Sequence, residues 1–137
     1  MKIDEKIVSF IEEHHLLSCS LVYENKTYSF SAFYLFLEDT PRFIISSKED
    51  TLHVKLLEQN PNVSGVIHLE TKTIGKIQGL QYIGVIKKAS DEEAREYLGR
   101  YPYASVLNPT YYRISIDYIK YTDNRLGFGT KLEFGEI

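Results

Sequence analysis

The sequence predicts a mainly β protein, a small barrel of six or seven antiparallel strands accompanied by about three short helices. Its 137 residues contain many short segments rich in β-branched and aromatic residues, separated by turn-forming residues. Only three segments show apolar residues at helical spacing. No repeat, low-complexity tract or linker interrupts the chain, so we expect one domain over residues 1–137.

The predicted strands follow one another through short connections, beginning with an antiparallel meander. We expect strands over residues 16–23, 27–37, 42–47, 63–70, 75–87, 111–121 and 131–134. We expect helices over residues 3–14, 51–60 and 91–99. The second helix should end at Asn60, because a proline disfavours helical geometry in the residue before it. Ser90 and Glu93 have the spacing of a capping box at the start of the third helix.

Alternation and charge predict which side chains face solvent. The last long strand should place one set of residues on a single face: Tyr112, Ile114, Ile116, Tyr118 and Lys120. Gly79 and Gly84 should mark a bulge or a sharp bend in the strand before it. Glu92 and Glu93 are expected on a solvated helix face.

The composition excludes several classes of protein. The formal net charge is -3 and the isoelectric point about 5.8, which argues against a nucleic-acid-binding protein. The chain has neither a signal-peptide pattern nor an apolar run long enough to span a membrane, so we expect a cytoplasmic protein. Cys19 has no second cysteine to pair with and is expected to act as a small buried hydrophobe.

Residues 43–61 carry the strongest chemical signal in the chain. A predicted strand ends in Ser46 and Ser47, and a helix then begins near Thr51 with His53 and Lys55 in its first turns. Hydroxyls, backbone N–H groups and cationic side chains together form a phosphate site. The alternative is a simple capped helix after a strand.

This segment resembles the FMN-phosphate region of the pyridoxamine 5'-phosphate oxidase-like split barrels. Ser46 and Ser47 fall at the family's strand-end pair, Thr51 at its serine, and His53 at its lysine. Leu52 falls at the family's arginine, so one cation is lost unless Lys48 or Lys55 compensates. A charge-assisted hydrogen bond is worth roughly 1.5–3 kcal/mol, so the loss should weaken phosphate binding.

The chain is most similar to one bacterial subfamily of these barrels. The resemblance lies in Lys72-Thr73, in Gly79-Leu80-Gln81 and in the C-terminal stretch from Lys120 to Lys131, which contains Thr122-Asp123-Asn124 and Gly127-Phe128-Gly129. The C-terminal residues predict a tight loop that bears one aromatic ring. Two interpretations are open: a turn that closes a hairpin, or a loop whose Asn124, Arg125 and Phe128 line a ligand cleft.

The resemblance implies a homodimer that binds FMN, a small-molecule flavin ligand, between its subunits. The phosphate would contact Ser46, Ser47, Thr51, His53 and Lys55. The flavin ring would lie near residues 32–35, Thr73 and the C-terminal loop with Asn124 and Phe128. The chemistry implied is that of a flavin-dependent oxidoreductase, and no residue is identified as catalytic or as a metal ligand.

Two alternatives to a flavin enzyme are open. The first is a non-enzymatic split-barrel dimer that has lost tight flavin binding, and Leu52 favours it. The second is a haem-binding split barrel, because some split barrels have acquired haem. Its candidate ligands are His14, His15, His53 and His68, and no sequence pattern selects among them.

Overall fold

The computed structural model describes residues 2–137, and these residues form one seven-stranded antiparallel sheet with three helices. The strands are β1 (Leu16–Tyr23), β2 (Lys26–Leu37), β3 (Arg42–Ser47), β4 (Asn62–His68), β5 (Gln78–Lys88), β6 (Thr110–Asp123) and β7 (Lys131–Gly135). The helices are α1 (Glu5–Glu13), α2 (Leu52–Leu57) and α3 (Asp91–Arg100). Short 3₁₀ turns cover Ile74–Lys76, Pro102–Leu107 and Asn124–Leu126. The predicted mainly β fold is confirmed.

Six of the strands close into a barrel. They are ordered β3-β2-β1-β4-β5-β6, and β3 also pairs with β6, so every strand of this set has two neighbours. The seventh strand, β7, pairs only with the second half of β6, from Tyr118 to Thr122. The first half of β6, from Thr110 to Ser115, pairs with β3. One long strand therefore serves both the closed barrel and its extension.

The prediction that alternate residues from Tyr112 to Lys120 share one face of β6 is wrong, because the strand contains a bulge. Ile83 pairs with Tyr118 whereas Gly84 pairs with Ile116, so Asp117 has no partner on β5. The extra residue reverses the alternation. Burial accordingly changes phase from Ile114 and Ile116 before the bulge to Ile119, Tyr121 and Asp123 after it.

Of the two glycines expected at a bulge or bend, Gly84 lies at the bulge. A Cβ atom on Gly84 would lie 2.3 Å from the Ser115 carbonyl oxygen, so the close approach of β5 and β6 requires glycine. Gly79 continues the ladder without a register shift. The strand also begins later than expected, at Gln78, because Ile74–Lys76 form a 3₁₀ turn.

The side chains inside the barrel form one apolar core with helices α1 and α2. Helix α1 buries Ile7, Phe10 and Ile11, and its Phe10 ring packs on Tyr121 with 5.1 Å between centroids. The Tyr34 hydroxyl donates to the Ile11 carbonyl at 2.6 Å. Helix α2 buries Val54, Leu56 and Leu57 and packs against β1 and β2.

Helix α3 is held against β3 and β6 by a buried carboxylate. The prediction that Glu93 lies on a solvated face is wrong, because only 6% of the residue is exposed. Its side chain accepts from Arg42 Nε at 2.6 Å and from Arg113 at 3.1 Å. The predicted capping box with Ser90 is present at the same time. Glu92, its neighbour in the sequence, is exposed.

Cys19 is fully buried, as predicted. Burial raises the pKa of its thiol to about 11, an effect that a hydrogen bond with Tyr82 only partly offsets. The thiol is therefore protonated at neutral pH and inert as a nucleophile.

Candidate functional site

The two serines at the end of β3 point to opposite faces of the sheet. The Ser47 hydroxyl is hydrogen-bonded to Nε2 of His53, whereas the Ser46 hydroxyl donates to the Tyr97 hydroxyl of α3 at 3.2 Å. Adjacent strand residues must alternate in this way. The structure therefore brings Ser47 into the predicted phosphate region and directs Ser46 away from it.

His53 is fixed in one orientation by three neighbours. Its ring stacks on Phe30 of β2, with 3.9 Å between centroids and an interplanar angle of 11°. Besides Ser47, its Nε2 lies 3.2 Å from the Thr51 hydroxyl oxygen. Burial lowers the pKa of the imidazole below its ordinary value. We call Ser47, Thr51, His53 and Phe30 the imidazole–hydroxyl cluster.

Thr51 does not cap α2 with its side chain. It occupies the N-cap position, but its hydroxyl donates to the Lys48 carbonyl at 2.8 Å and no side-chain capping bond forms. The helix has only six residues and ends at Leu57, three residues before the predicted end at Asn60. The hydroxyl thus belongs to the cluster with His53 rather than to the helix.

The cations near the cluster do not contact it. Lys48 and Lys55 are both exposed, and neither forms an ion pair or hydrogen bond through its ammonium within residues 2–137. Leu52, which the resemblance aligns with an arginine, is 52% exposed. In the described part of the chain the cluster therefore offers hydroxyls and one imidazole, without a permanent positive charge.

The C-terminal motif folds around a buried carboxylate. Asp123 is 3% exposed and accepts hydrogen bonds from the Arg125 backbone N–H at 3.0 Å, from the Arg125 guanidinium at 2.8 Å and from the Tyr121 hydroxyl at 3.1 Å. The hydrogen bonds from Arg125 are the main cause that lowers the pKa of Asp123. Arg125 also donates to Gln78 at 3.1 Å. Arg125 thus holds the loop in place.

Asn124 joins this loop to the segment that contains Thr73. Its side-chain amide donates to the Ile74 carbonyl at 2.9 Å, and its backbone N–H donates to the Ile77 carbonyl at 2.9 Å. Thr73 is exposed and immediately precedes the 3₁₀ turn Ile74–Lys76. The structure therefore places the two predicted ring-contacting segments side by side.

Phe128 is the residue of the motif with no internal role. It lies between Gly127 and Gly129, whose φ angles of 116° and 82° favour glycine, and its side chain is 76% exposed. The loop closes the β6–β7 hairpin, as one of the two interpretations predicts. It also holds an aromatic ring out in solvent, which the ligand-contact interpretation requires.

The two halves of the predicted site lie at opposite ends of β6. Ser47 pairs with Thr110 at the start of this strand, whereas Asp123 at its end leads into the C-terminal loop. Strands rise about 3.3 Å per residue, so the two ends are separated by up to roughly 40 Å along the strand. Within one chain the two halves of the predicted site are therefore separated by the length of β6.

The segment expected beside the flavin ring lies next to the end of β3. Tyr34 pairs with Ile45, which places Ala32 and Phe33 beside the two serines. Tyr34 is buried, but Phe33 is 55% exposed and packs against Tyr101 with 5.6 Å between centroids. This segment is therefore close to the imidazole–hydroxyl cluster in the same chain.

The structure distinguishes the four histidines that sequence alone leaves equivalent. His14 Nδ1 lies 2.7 Å from the Phe10 carbonyl, which can only accept, so Nδ1 carries a hydrogen and donates it. His15 Nδ1 accepts from Arg100 at 3.0 Å, and His53 bonds to hydroxyls. His68 is exposed at the end of β4.

Several partners in these arrangements escape sequence analysis. Phe30 stacks on a histidine 23 residues away in the chain, and Tyr97 binds a serine 51 residues away. Strand register decides such contacts, and no local pattern encodes it. The capping-box spacing of Glu93 was visible in the sequence, but not its two arginine partners.

Two other features bear on function. A cleft of about 600 Å³ lies away from the predicted site, lined by Arg42, Glu92, Glu93, Glu96 and Arg113 among others. Among residues 2–137 there is no cluster of three or more metal-ligating side chains, and no helix has the length and apolarity needed to cross a membrane.

The fold is that of the pyridoxamine 5'-phosphate oxidase-like split barrels. A putative pyridoxamine 5'-phosphate oxidase from Listeria innocua superposes with a TM-score of 0.70 over 85% of this chain and 95% of its own, at 15% identity. A haem-binding protein from Mycobacterium smegmatis gives 0.78 over 98% of this chain and 59% of its own, at 13% identity. A FAD-binding protein from Mesorhizobium loti gives 0.68 over 85% and 92%, at 11% identity.

The chain belongs to the UPF0306 family. It is 37% identical to a UPF0306 protein of Campylobacter jejuni over 132 residues, which cover 96% of this chain and 97% of the relative. It is 36% identical to a UPF0306 protein of Klebsiella pneumoniae over 129 residues, which cover 91% and 88%. No family model matches the chain.

Proposed function

We propose that the protein is an FMN-binding split-barrel homodimer and that the imidazole–hydroxyl cluster binds the flavin phosphate. The observation that carries the proposal is the convergence of Ser47, Thr51 and His53 at the end of β3. The neighbouring structures named for flavin, pyridoxamine phosphate or haem support a small-molecule ligand of this kind. As an enzyme it would be a flavin-dependent oxidoreductase.

The cluster fits a phosphate group in chemistry. The Ser47 hydroxyl and the His53 imidazole can donate hydrogen bonds to phosphate oxygens, whereas the Thr51 hydroxyl donates to the Lys48 carbonyl and orients the imidazole. His53 is stacked rather than free to rotate, so its ring is already oriented for a ligand. FMN supplies the hydride and electron transfer when bound, and the protein supplies binding and orientation.

The second half of the site would come from the partner subunit. Asn124 and Phe128 lie at the far end of β6 from the cluster, so they reach the same flavin only from another copy of the chain. Large apolar side chains stand exposed at Phe33, Tyr103, Val106, Leu107 and Phe128. Of these, Tyr103, Val106 and Leu107 lie on one 3₁₀ turn, and contiguous exposed apolar side chains are typical of interaction surfaces.

Titration with FMN tests the proposal. We expect quenching of flavin fluorescence and a rise in melting temperature, with affinity reduced about three- to tenfold by Thr51→Ala and about ten- to a hundredfold by His53→Ala. Ser46→Ala is the matched control, because its hydroxyl contacts Tyr97 on the other face and its loss should leave affinity unchanged. Equal affinity in all three variants would place the phosphate elsewhere.

Leu52 provides a gain-of-function test of the non-enzymatic alternative. Replacing this half-exposed side chain by arginine restores the cation of the related barrels. We expect Leu52→Arg to tighten FMN binding about tenfold or more, because a charge-assisted hydrogen bond is added. Leu52→Gln adds a polar side chain without charge and should have little effect. If the natural protein binds FMN only weakly and Leu52→Arg binds it well, the non-enzymatic interpretation is favoured.

Haem is a second candidate ligand, and one observation favours His14 as the residue that would bind its iron. With Nδ1 donating to the Phe10 carbonyl, Nε2 is available to iron, as in histidine ligands held by a backbone acceptor. Titration with haemin should give a Soret band that His14→Ala shifts or removes. His68→Ala, an exposed histidine, serves as the control. An unchanged spectrum in His14→Ala would eliminate this ligand assignment.

A further inference from the structure

We propose that His53 is a proton-coupled anion receptor: the flavin phosphate and one proton bind together, so that the imidazole is neutral in the empty protein and charged in the complex. The inference rests on the proposed function and adds a property that neither the fold nor the relatives imply. According to this inference, His53 determines how tightly the phosphate binds as well as where it binds.

The geometry of His53 leaves one place for the ligand. One ring face is covered by Phe30, and Nε2 is engaged by Ser47 and Thr51. The Thr51 hydroxyl gives its hydrogen to the Lys48 carbonyl, so its oxygen offers only lone pairs to the imidazole. Nδ1 forms no hydrogen bond within residues 2–137, and it is the ring atom left to meet an anion.

No neighbouring charge stabilises an imidazolium before the ligand arrives. The titratable groups on the elements around the ring are Cys19 and Tyr23 on β1, Lys26, Tyr28 and Tyr34 on β2, Arg42 on β3, Lys48, Glu49 and Asp50 in the loop, and Lys55 on α2. None of them is within hydrogen-bond or ion-pair distance of His53. The Glu49 carboxylate is directed to Thr110 at 3.0 Å and Lys88 at 3.4 Å instead. Burial is the only cause that lowers the imidazole pKa.

One proton from solvent changes what the cluster offers. Because Thr51 offers Nε2 only lone pairs, Nε2–H already donates to the hydroxyl oxygens of Ser47 and Thr51 in the neutral ring, and the added proton goes to Nδ1. Nδ1–H becomes a second charge-assisted donor. The proton thus converts a neutral cluster into a cationic one that replaces the missing arginine at Leu52. Phosphate in turn stabilises the imidazolium by its opposite charge.

The sign of the pH dependence follows from this coupling. The empty protein has the lower imidazole pKa and the complex the higher one. Between these two values, and above the second pKa of the phosphate at about 6, FMN affinity should fall about tenfold per pH unit as pH rises. Riboflavin, which lacks the phosphate, should show no such dependence.

Isothermal titration in buffers of different ionisation enthalpy measures the protons taken up on binding. At about pH 7.5, where the FMN phosphate is already close to a dianion, we expect uptake approaching one proton with FMN and none with riboflavin. His53→Gln should bind FMN at least about tenfold more weakly and take up no proton. His53→Arg carries a permanent charge and should bind FMN without proton uptake.

The outcomes separate this inference from the proposed function. If FMN binds without proton uptake, or if His53→Gln retains the uptake, the inference is overturned and the flavin assignment stands. If millimolar FMN produces neither heat nor fluorescence change across the pH range, the flavin assignment itself fails and the inference with it. Thermal melting of each variant verifies that the fold is intact.

Discussion

At the scale of single residues, Glu93 and His53 are two titratable groups that differ in the partners around them. The Glu93 carboxylate is met by two guanidinium groups and a backbone N–H. His53 is met by two hydroxyls and an aromatic ring. The paired charge of Glu93 is structural, because both arginines lose an ion pair when its carboxylate is removed. A neutral group without a charged partner is available to a ligand.

Loss of the Glu93 carboxylate should destabilise the protein strongly. Glu93→Ala leaves Arg42 and Arg113 without their shared partner and removes half of the capping box, so we expect a cost of about 3–5 kcal/mol. Urea denaturation measures the change in unfolding free energy. The matched control is Glu92→Ala, one residue away and exposed, which should change it by less than about 0.5 kcal/mol. Similar costs for the two variants would contradict a structural role for Glu93.

Acid should remove the contribution of Glu93 to the stability of the fold. Burial alone would raise the pKa of this carboxyl, but the Ser90 backbone N–H and the two arginines together lower it below its usual value. The stabilisation is therefore complete above the unfolded-state pKa of about 4.3 and is lost as pH falls through the lower, folded value. Melting temperature measured from neutral to acidic pH should fall less steeply in Glu93→Gln than in the natural protein.

At the scale of elements, β6 is decisive because one strand performs two tasks. Its first half closes the barrel on β3, and its second half carries β7 and the C-terminal loop. The bulge at Asp117 separates the two halves and reverses which side chains face the core. Gly84 on the facing strand makes the bulge sterically possible, because any side chain there meets the Ser115 carbonyl.

A pair of glycine substitutions tests this account of the bulge. In Gly84→Ala the new Cβ would lie 2.3 Å from a carbonyl oxygen, so strands must shift and we expect a loss of roughly 2–4 kcal/mol. Gly99→Ala in α3 places the same methyl where nothing lies within 4 Å. It should stabilise by up to about 1 kcal/mol, because alanine is the better helix former. Calorimetric melting of both variants gives the comparison, and equal effects would refute the steric explanation.

At the scale of the whole molecule, the distance between the two halves of the proposed site determines the assembly that function needs. The cluster on β3 and the Phe128 loop lie at opposite ends of β6 in one chain. In a two-fold dimer, the end of β6 in one chain can lie beside the start of β6 in the other chain, and this contact occurs twice. The exposed Phe128 ring is then buried by the partner.

Light scattering should give a mass twice the 15.9 kDa of the chain. A mass near that of one chain would contradict the dimer. Complementation tests the shared site directly: His53→Ala and Phe128→Ser should each impair FMN binding alone. When the two variants are unfolded, mixed and refolded, half of the dimers are mixed, and each mixed dimer has one intact site. About a quarter of the sites should therefore recover, whereas sites built within one chain would not recover at all.

Local patterns predicted the elements well and their partners poorly. The strand over residues 16–23 and the capping box at Ser90 follow from alternation and spacing, and both are present. The face of Tyr118 was predicted wrongly because a bulge is a property of two paired strands. Glu93 was assigned to solvent because its arginine partners lie 51 and 20 residues away.

The same limit applies to the candidate site. The predicted set contained Ser47, Thr51 and His53, which meet, and Ser46, which faces Tyr97. It also contained Asn124, whose amide is used to join two loops. Resemblance to the related barrels selects a segment of chain, but strand alternation decides which of its side chains share a face.

The sequence by itself determined the antiparallel β-barrel and the order of its elements, and it predicted the segment from β3 to α2 as the place for a phosphate. These depend on periodicity, turn residues and motif spacing, which act over a few residues. The tertiary structure decided that His53 lies on Phe30 between two hydroxyls, that Glu93 is buried, and that the Phe128 loop lies far from both serines of β3 within one chain. Register and barrel closure set these relations, because they pair residues that no local pattern connects.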